Sequence, residues 1–249
     1  MDNVTLIVII GAIVAGFVQG LSGFAFGMVA MSFWAWVLEP RLAATMAVFG
    51  ALTGQILAAV TVRRGFNLKL LLPFILEGFA GIPIGIALLP FLDMLLFKTF
   101  LGGLLILWCP TMLIAHQLPR ITLGRRVADA VVGTLGGIMS GIGGFAGVIP
   151  TLWCTLRGFD KDAQRAVIQN FNFAALLVTM VIYISKGFIT KTMLPMFAIV
   201  ALAMLVPTLM GSRLYIGMSA ATFRKMVLSL LTVSGAALLA SSLPKLIHF

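Results

Sequence analysis

The sequence is short of almost everything a soluble enzyme uses. Only 10% of its 249 residues are charged and just 7 are acidic, whereas a soluble domain carries roughly 25% charged residues. The two histidines, His116 and His248, fall near segment ends, and the two cysteines, Cys109 and Cys154, lie within apolar stretches. No His/Cys/carboxylate cluster with metal-ligand spacing exists, and a disulfide framework is not indicated. No cofactor or metal is expected. A Walker A sequence is also missing, which excludes a P-loop nucleotide motor.

What is present is apolar. Hydrophobic residues make up 61% of the chain and the mean hydropathy is +1.15. A helix of about 20 apolar residues spans a bilayer, and the charge-poor runs are too long and unbroken for the alternating strands of a barrel. The expected fold class is an all-α integral membrane protein. The net charge of +10 does not point to nucleic acid, because the 17 Lys and Arg sit almost entirely between apolar runs, where they act as topology determinants. Asp2 and the lack of a positive n-region argue against a removable signal peptide.

Charged and turn residues divide the chain into eight runs, which form two halves, 1–118 and 127–249, joined by a linker at 119–126. The first half reads as a broken helix at 4–37 followed by helices at 42–62, 68–92 and 97–118. The second reads as a broken helix at 127–156 followed by helices at 163–185, 192–210 and 223–243. The halves are related by a motif: Gly16-x3-Gly20-x2-Gly23-Phe24-Ala25 returns 121 residues later as Gly137-x3-Gly141-x2-Gly144-Phe145-Ala146. Pro73 and Pro195, Pro83 and Pro207, and Gly65-Phe66 and Gly187-Phe188 follow in the same order, the signature of a duplicated unit.

The first run of each half is much longer than one span needs, and Gly23 and Gly144 lie near the middles. Each run is either one kinked helix or a hairpin, and the basic residues discriminate. If every run crosses once, the two sides carry 9 and 8 basic residues; if the first and fifth runs return to their own side, the split is 12 to 5. The positive-inside rule selects hairpins. A hairpin plus three crossings is an odd number, so the halves are expected to be inverted repeats. Both termini and the loops with Arg41, Lys98, Lys186 and Lys191 then lie outside, and the linker is cytoplasmic.

Backbone released by a helix break inside a bilayer must be buried in protein or line a polar cavity. Where a helix restarts, its unpaired amides and positive dipole end form an anion site. The candidate substrate-binding residues are Ser22, Gly23, Phe24 and Ala25 in one half and Gly143, Gly144, Phe145 and Ala146 in the other. A second reading is open, because Gly-x3-Gly is also a helix-packing motif in membranes. Gln55, Gln169 and Asn170, with Thr53 and Asn172, are placed to complete a pocket or to bond helix to helix. Glu77, the only carboxylate deep within a run, is the candidate for proton coupling, its alternative being a neutral structural role. Arg41 and Arg165 either guide anions or anchor helix ends.

Gly20-Leu21-Ser22-Gly23-Phe24-Ala25 and Gly141-Ile142-Gly143-Gly144-Phe145-Ala146-Gly147-Val148-Ile149-Pro150 resemble the glycine-rich breaks that open the two halves of the sulfite exporter TauE/SafE family of bacterial membrane proteins. The resemblance covers almost the whole chain. It implies a secondary transporter in the bacterial inner membrane that moves sulfite or another small sulfur-containing or organic anion, with export the family expectation and no enzymatic activity. The expected partners are a small anion and the lipid bilayer. Protons, counter-anions and the membrane potential are the alternatives for coupling, a passive anion channel or an intramembrane enzyme are the competing functions, and nothing in the sequence sets the oligomeric state. The first half has no proline matching Pro150, so the two breaks are not expected to be equivalent.

Overall fold

The computed structural model describes residues 2–61, 65–66, 68–117, 120–121, 125–214 and 220–247. Half of the linker expected at 119–126 therefore lies outside the described residues, as do Arg63 and Arg64. Helices make up the described chain, with no strand among the described residues.

The first overlong run is two helices, α1 (Asn3–Ser22) and α2 (Phe26–Trp34). Gly23 ends α1 with φ +81°, its N–H donating to the Gln19 carbonyl at 2.7 Å. A side chain in that left-handed conformation costs about 1–2 kcal/mol, so glycine sets the stop. Then come α3 (Pro40–Thr61), α4 (Leu68–Leu88) and α5 (Met94–Ile114), the last capped by the Asp93 carboxylate, which accepts from the Leu96 N–H at 2.8 Å. The second half repeats the order with α6 (Arg125–Gly143), a break at Gly144 (φ +75°), α7 (Val148–Leu156), α8 (Lys161–Ser185), α9 (Leu194–Leu214) and α10 (Ala220–Ile247).

Seven helices, α1, α3, α4, α5, α8, α9 and α10, contain spans long and apolar enough to cross a membrane, and Val127–Gly143 of α6 is a shorter apolar helix. At 1.5 Å per residue, the nine residues of α2 and of α7 reach only about 13 Å, less than half a hydrocarbon core. Each folds back on its predecessor. The Trp34 indole N–H donates to the Val8 carbonyl at 3.2 Å, fastening α2 to α1. The Trp153 indole N–H donates to Asp129 Oδ1 at 2.7 Å, fastening α7 to α6, and Arg157 adds a largely buried ion pair to the same carboxylate.

The helix pairing keeps its pattern when the halves are exchanged. α1 packs on α9 as α6 packs on α4, α3 meets α9 as α8 meets α4, and α5–α10 and α3–α8 pair across the middle. Packing and helix breaking fall to different glycines of the motif. Gly16 and Gly20 lie against Met204, Thr208 and Gly211 of α9, and Gly137 and Gly141 against Gly78, Ile82 and Gly85 of α4, where a Cβ would strike backbone. Those four are packing glycines; the third of each set, Gly23 or Gly144, breaks the helix.

Candidate functional site

At the first break the chain satisfies its own backbone. Ser22 Oγ accepts from the Ala25 N–H at 3.2 Å and the Phe24 N–H at 3.4 Å, and Gln19 Oε1 accepts from the Phe26 N–H at 3.0 Å. The Phe24, Ala25 and Phe26 amides are thus occupied by Ser22 and Gln19. Side-chain amides converge on the same point instead. Gln55 of α3 donates from Nε2 to the Gly23 carbonyl at 2.6 Å. Gln169 of α8 lies against Gly23, its Nε2 2.9 Å from where a Cβ would stand.

A cavity opens here, lined by Gln19, Gly20, Gly23, Gly54, Arg165, Gln169, Thr208 and Ser212 among others. Its interior has room for about one water molecule. Four polar atoms around it are buried without a hydrogen-bond partner: Gln19 Nε2, Gln169 Nε2, Gln169 Oε1 and Thr208 Oγ1. An orphaned buried polar group costs about 1–3 kcal/mol, and such a cluster calls for a ligand or water to complete it. Arg165, one turn before Gln169 on α8, is the charged residue among the described lining residues. Amide and hydroxyl groups beside a glycine, with a guanidinium on the wall, are the chemistry that holds a small oxyanion.

The second break is tighter. The Gly144 N–H donates to the Ser140 carbonyl at 2.9 Å, the Phe145 N–H to the Met139 carbonyl at 3.2 Å, and the Val148 N–H to the Phe145 carbonyl at 3.1 Å. Gly143, Gly144, Phe145 and Ala146 are all buried. The two breaks touch: a Cβ on Gly27 would stand 2.8 Å from the Gly144 carbonyl, and one on Gly147 would stand 2.9 Å from the Cβ of Phe24. The Phe24 ring meets Trp108 edge-on at 6.0 Å, and the Trp108 indole donates to the Val148 carbonyl at 2.7 Å. Asn172 lies against Gly147, and its Oδ1 is buried without a partner. By helical rise, Gln55 and Gln169 at one break and Val48 and Asn172 at the other fall within about 8 Å of the middles of the α3 and α8 spans.

A glycine-broken hairpin in each half, the two in contact beside a polar cavity, carries the paired glycine-rich breaks on which the resemblance rests, and a comparison with family models identifies the family. The model described as "Sulfite exporter TauE/SafE" matches residues 8–238, from α1 into α10. The chain belongs to the sulfite exporter TauE/SafE family. It is a multi-pass membrane protein of a transporter family. No curated protein and no solved structure matches it.

Within this TauE/SafE chain the two breaks occupy corresponding places but differ in chemistry. Gly23 faces Gln169; Gly144 faces the backbone of Val48, 121 residues before Gln169. The same shift maps Arg165, Gln169 and Asn172 of α8 onto Ala44, Val48 and Ala51 of α3, all three buried and apolar. The Arg165 and Gln169 side of the Gly23 cavity therefore has no polar counterpart at Gly144, where the nearby polar side chain is Asn172, against Gly147.

Of the residues singled out from sequence, Gly23 and Gln169 line the cavity and Gln55 holds the Gly23 carbonyl, with Ser22, Phe24 and Ala25 forming the turn beside it. Asn170 turns elsewhere: its Nδ2 donates to the Ala166 carbonyl at 2.8 Å and the Gly65 carbonyl at 3.0 Å. Thr53 bonds within its own helix, to the Phe49 carbonyl at 2.9 Å. The Arg41 guanidinium lies over the Phe188 ring, 4.8 Å from its centroid, as a helix-end anchor does. Glu77 is exposed on α4, which contributes no residue to the described cavity lining. Sequence reasoning passed over Gln19 and Thr208. Each had a signal: Gln19 is the polar residue between the motif glycines Gly16 and Gly20, and Thr208 follows Pro207, one of the matched prolines.

Proposed function

We propose that the protein is a secondary carrier of small anions that exports sulfite or a related organosulfonate by alternating access. The observation that carries the reading is the set of four unpartnered polar atoms of Gln19, Gln169 and Thr208 around Gly23, with Arg165 on the same wall. A ligand with several oxygen acceptors supplies what the amides and hydroxyl lack. A cavity holding about one water supports a carrier over an open pore, because a pore needs a continuous wet path.

The halves are proposed to be inverted in a bacterial inner membrane, with termini outside and the 119–126 linker in the cytoplasm. The exchange-symmetric helix pairing supports that duplication. The break with the polar wall then lies toward the cytoplasm, where Arg157, Lys161 and Arg165 cluster. Coupling is read as charge movement: an interior-negative potential drives a monoanion outward by about 2.3 kcal/mol per 100 mV. The position of Glu77 away from the cavity lining supports that choice over a proton relay through this residue.

Proteoliposome counterflow with sulfite, thiosulfate, sulfoacetate, sulfate and small carboxylates, run with imposed potentials and pH gradients, tests the reading. Saturable uptake stimulated by anion on the opposite side, and by potential more than by pH, is expected. Unsaturable flux would make the protein a channel; a chemically altered ligand would make it an enzyme.

A further inference from the structure

The two breaks share one plan but cap themselves differently. At the first, Ser22 Oγ and Gln19 Oε1 take the N–H groups of Phe24, Ala25 and Phe26. A shift of 121 residues puts Gly143 in the place of Ser22 and Ser140 in the place of Gln19. Glycine has no side chain to offer, and the Ser140 hydroxyl is bonded to Thr179 Oγ1 at 2.8 Å. The Ala146 and Gly147 N–H groups, which match those of Ala25 and Phe26, therefore find no acceptor among the described residues, although both residues are buried. Buried backbone N–H groups without a partner are rare, because each costs about as much as a lost hydrogen bond. These two stand at the positive dipole end of α7.

A buried side chain points at the same place. Asn172 is 1% exposed and its Oδ1 has no hydrogen-bond partner. Its amide lies against Gly147, where a Cβ would stand 2.7 Å from Nδ2 and 2.9 Å from Oδ1. No donor holds Oδ1, so the amide can turn its NH2 toward a ligand without giving up a bond at that atom. On α8, Asn172 lies three residues beyond Gln169, about 4.5 Å of helical rise, and Gln169 reaches Gly23. Residues three apart are neighbours on a helix surface, so adjacent side chains of α8 address the two breaks.

We propose that Ala146, Gly147 and Asn172 form a second oxyanion station, to which the anion passes from the Gly23 cavity. The inference takes its ligand from the anion-carrier reading above, and its residues are independent of the Gly23 cavity. Two backbone N–H groups and a carboxamide NH2 match a ligand with several acceptor oxygens. Phe24, whose Cβ is 2.9 Å from the Cβ position of Gly147, covers the station in this structure. Rocking of one hairpin against the other, as alternating access requires, uncovers it.

Selective NMR labelling of the full chain in detergent micelles tests the proposal. Carbonyl-13C alanine combined with 15N-glycine marks the Ala146–Gly147 peptide and otherwise only the peptides before Gly16 and Gly81, which lie inside α1 and α4. Titration with sulfite, thiosulfate or sulfate is expected to move the Gly147 amide proton downfield saturably and to leave Gly16 and Gly81 in place. Asn172→Leu should weaken that titration roughly tenfold, as loss of a hydrogen bond to a charged group does. In proteoliposome counterflow, Gly143→Ser, which restores the capping hydroxyl, should run severalfold slower than Gly143→Ala. Both variants place a Cβ 2.7 Å from the Phe145 ring, so their difference reads the hydroxyl. A Gly147 resonance that none of the three anions moves, or equal counterflow in the two Gly143 variants, would overturn the proposal. A fixed Gly147 resonance with a raised KM in Gln169→Ala would remove the second station and keep the Gly23 site. A shifting Gly147 resonance with an unchanged KM in Gln169→Ala would do the reverse. The wild-type titration decides the matter even where Asn172→Leu fails to fold.

Discussion

Replacing Gly23 by alanine tests the site at its centre. The added methyl has two effects that can be estimated separately. The left-handed backbone at φ +81° becomes strained by about 1–2 kcal/mol, a loss a folded membrane protein tolerates. The methyl also stands 2.9 Å from Gln169 Nε2, closer than carbon and nitrogen normally approach, so the amide tip swings away. If that amide donates to a bound anion, losing a hydrogen bond to a charged group costs about 1.5–3 kcal/mol, or roughly 10- to 100-fold in apparent affinity. Counterflow in proteoliposomes reads the affinity, and thermal unfolding in detergent reads the strain. Gly103→Ala is the control, because nothing lies within 4 Å of its Cβ and a mid-helix alanine gains about 0.5–1 kcal/mol. Gly102 would be a poor control, since its Cβ would stand 2.9 Å from the Gly235 carbonyl. A folded Gly23→Ala protein with wild-type KM would refute the assignment of Gln169 to the anion.

Three further outcomes follow from the same geometry. Arg165→Gln should raise KM about tenfold, equivalent to 1.4 kcal/mol, with Arg165→Lys recovering most of it and high salt narrowing the gap; an unchanged KM would remove Arg165 from the site. Asp129→Asn should destabilise the α6–α7 hairpin by about 3 kcal/mol or more, because the partner Arg157 side chain is only 10% exposed. Thermal unfolding should show the double change Asp129→Leu/Arg157→Met to be milder than the single one, and a single-variant loss under about 1 kcal/mol would contradict that burial. Gly137→Ala drives a methyl into the Gly78 carbonyl and should sharply reduce the yield of folded protein relative to Gly103→Ala, as fluorescence-detected size exclusion would show.

Much of the architecture was legible in the sequence because the bilayer imposes strong, one-dimensional rules. Length and hydropathy announce helices, and a glycine in the middle of an overlong run announces a break, since lipid cannot satisfy free backbone. Gly23 and Gly144 are both found at φ above +70°. The binding details were less legible. The amides of Phe24 and Ala25 looked available in sequence, but Ser22 Oγ takes them, a local capping choice that depends on rotamers and not on residue type alone. Asn170 and Gln169 are adjacent and equally polar, yet only Gln169 faces the break, because consecutive residues on a helix point about 100° apart.

What the sequence by itself determined is an all-helical membrane chain that carries a glycine-rich motif twice, because composition, the length of apolar runs and motif spacing are properties of the chain alone. Only the tertiary structure decided that the other motif glycines pack, since that depends on what stands opposite each Cα: α9 and α4 backbone at Gly16, Gly20, Gly137 and Gly141, against side-chain or α3 contacts at Gly23 and Gly144. Tertiary packing alone also brought Gln19, Gln169 and Thr208 together from three helices and turned Glu77 outward. Those placements follow from the faces that neighbouring helices bury, and no single segment contains that information.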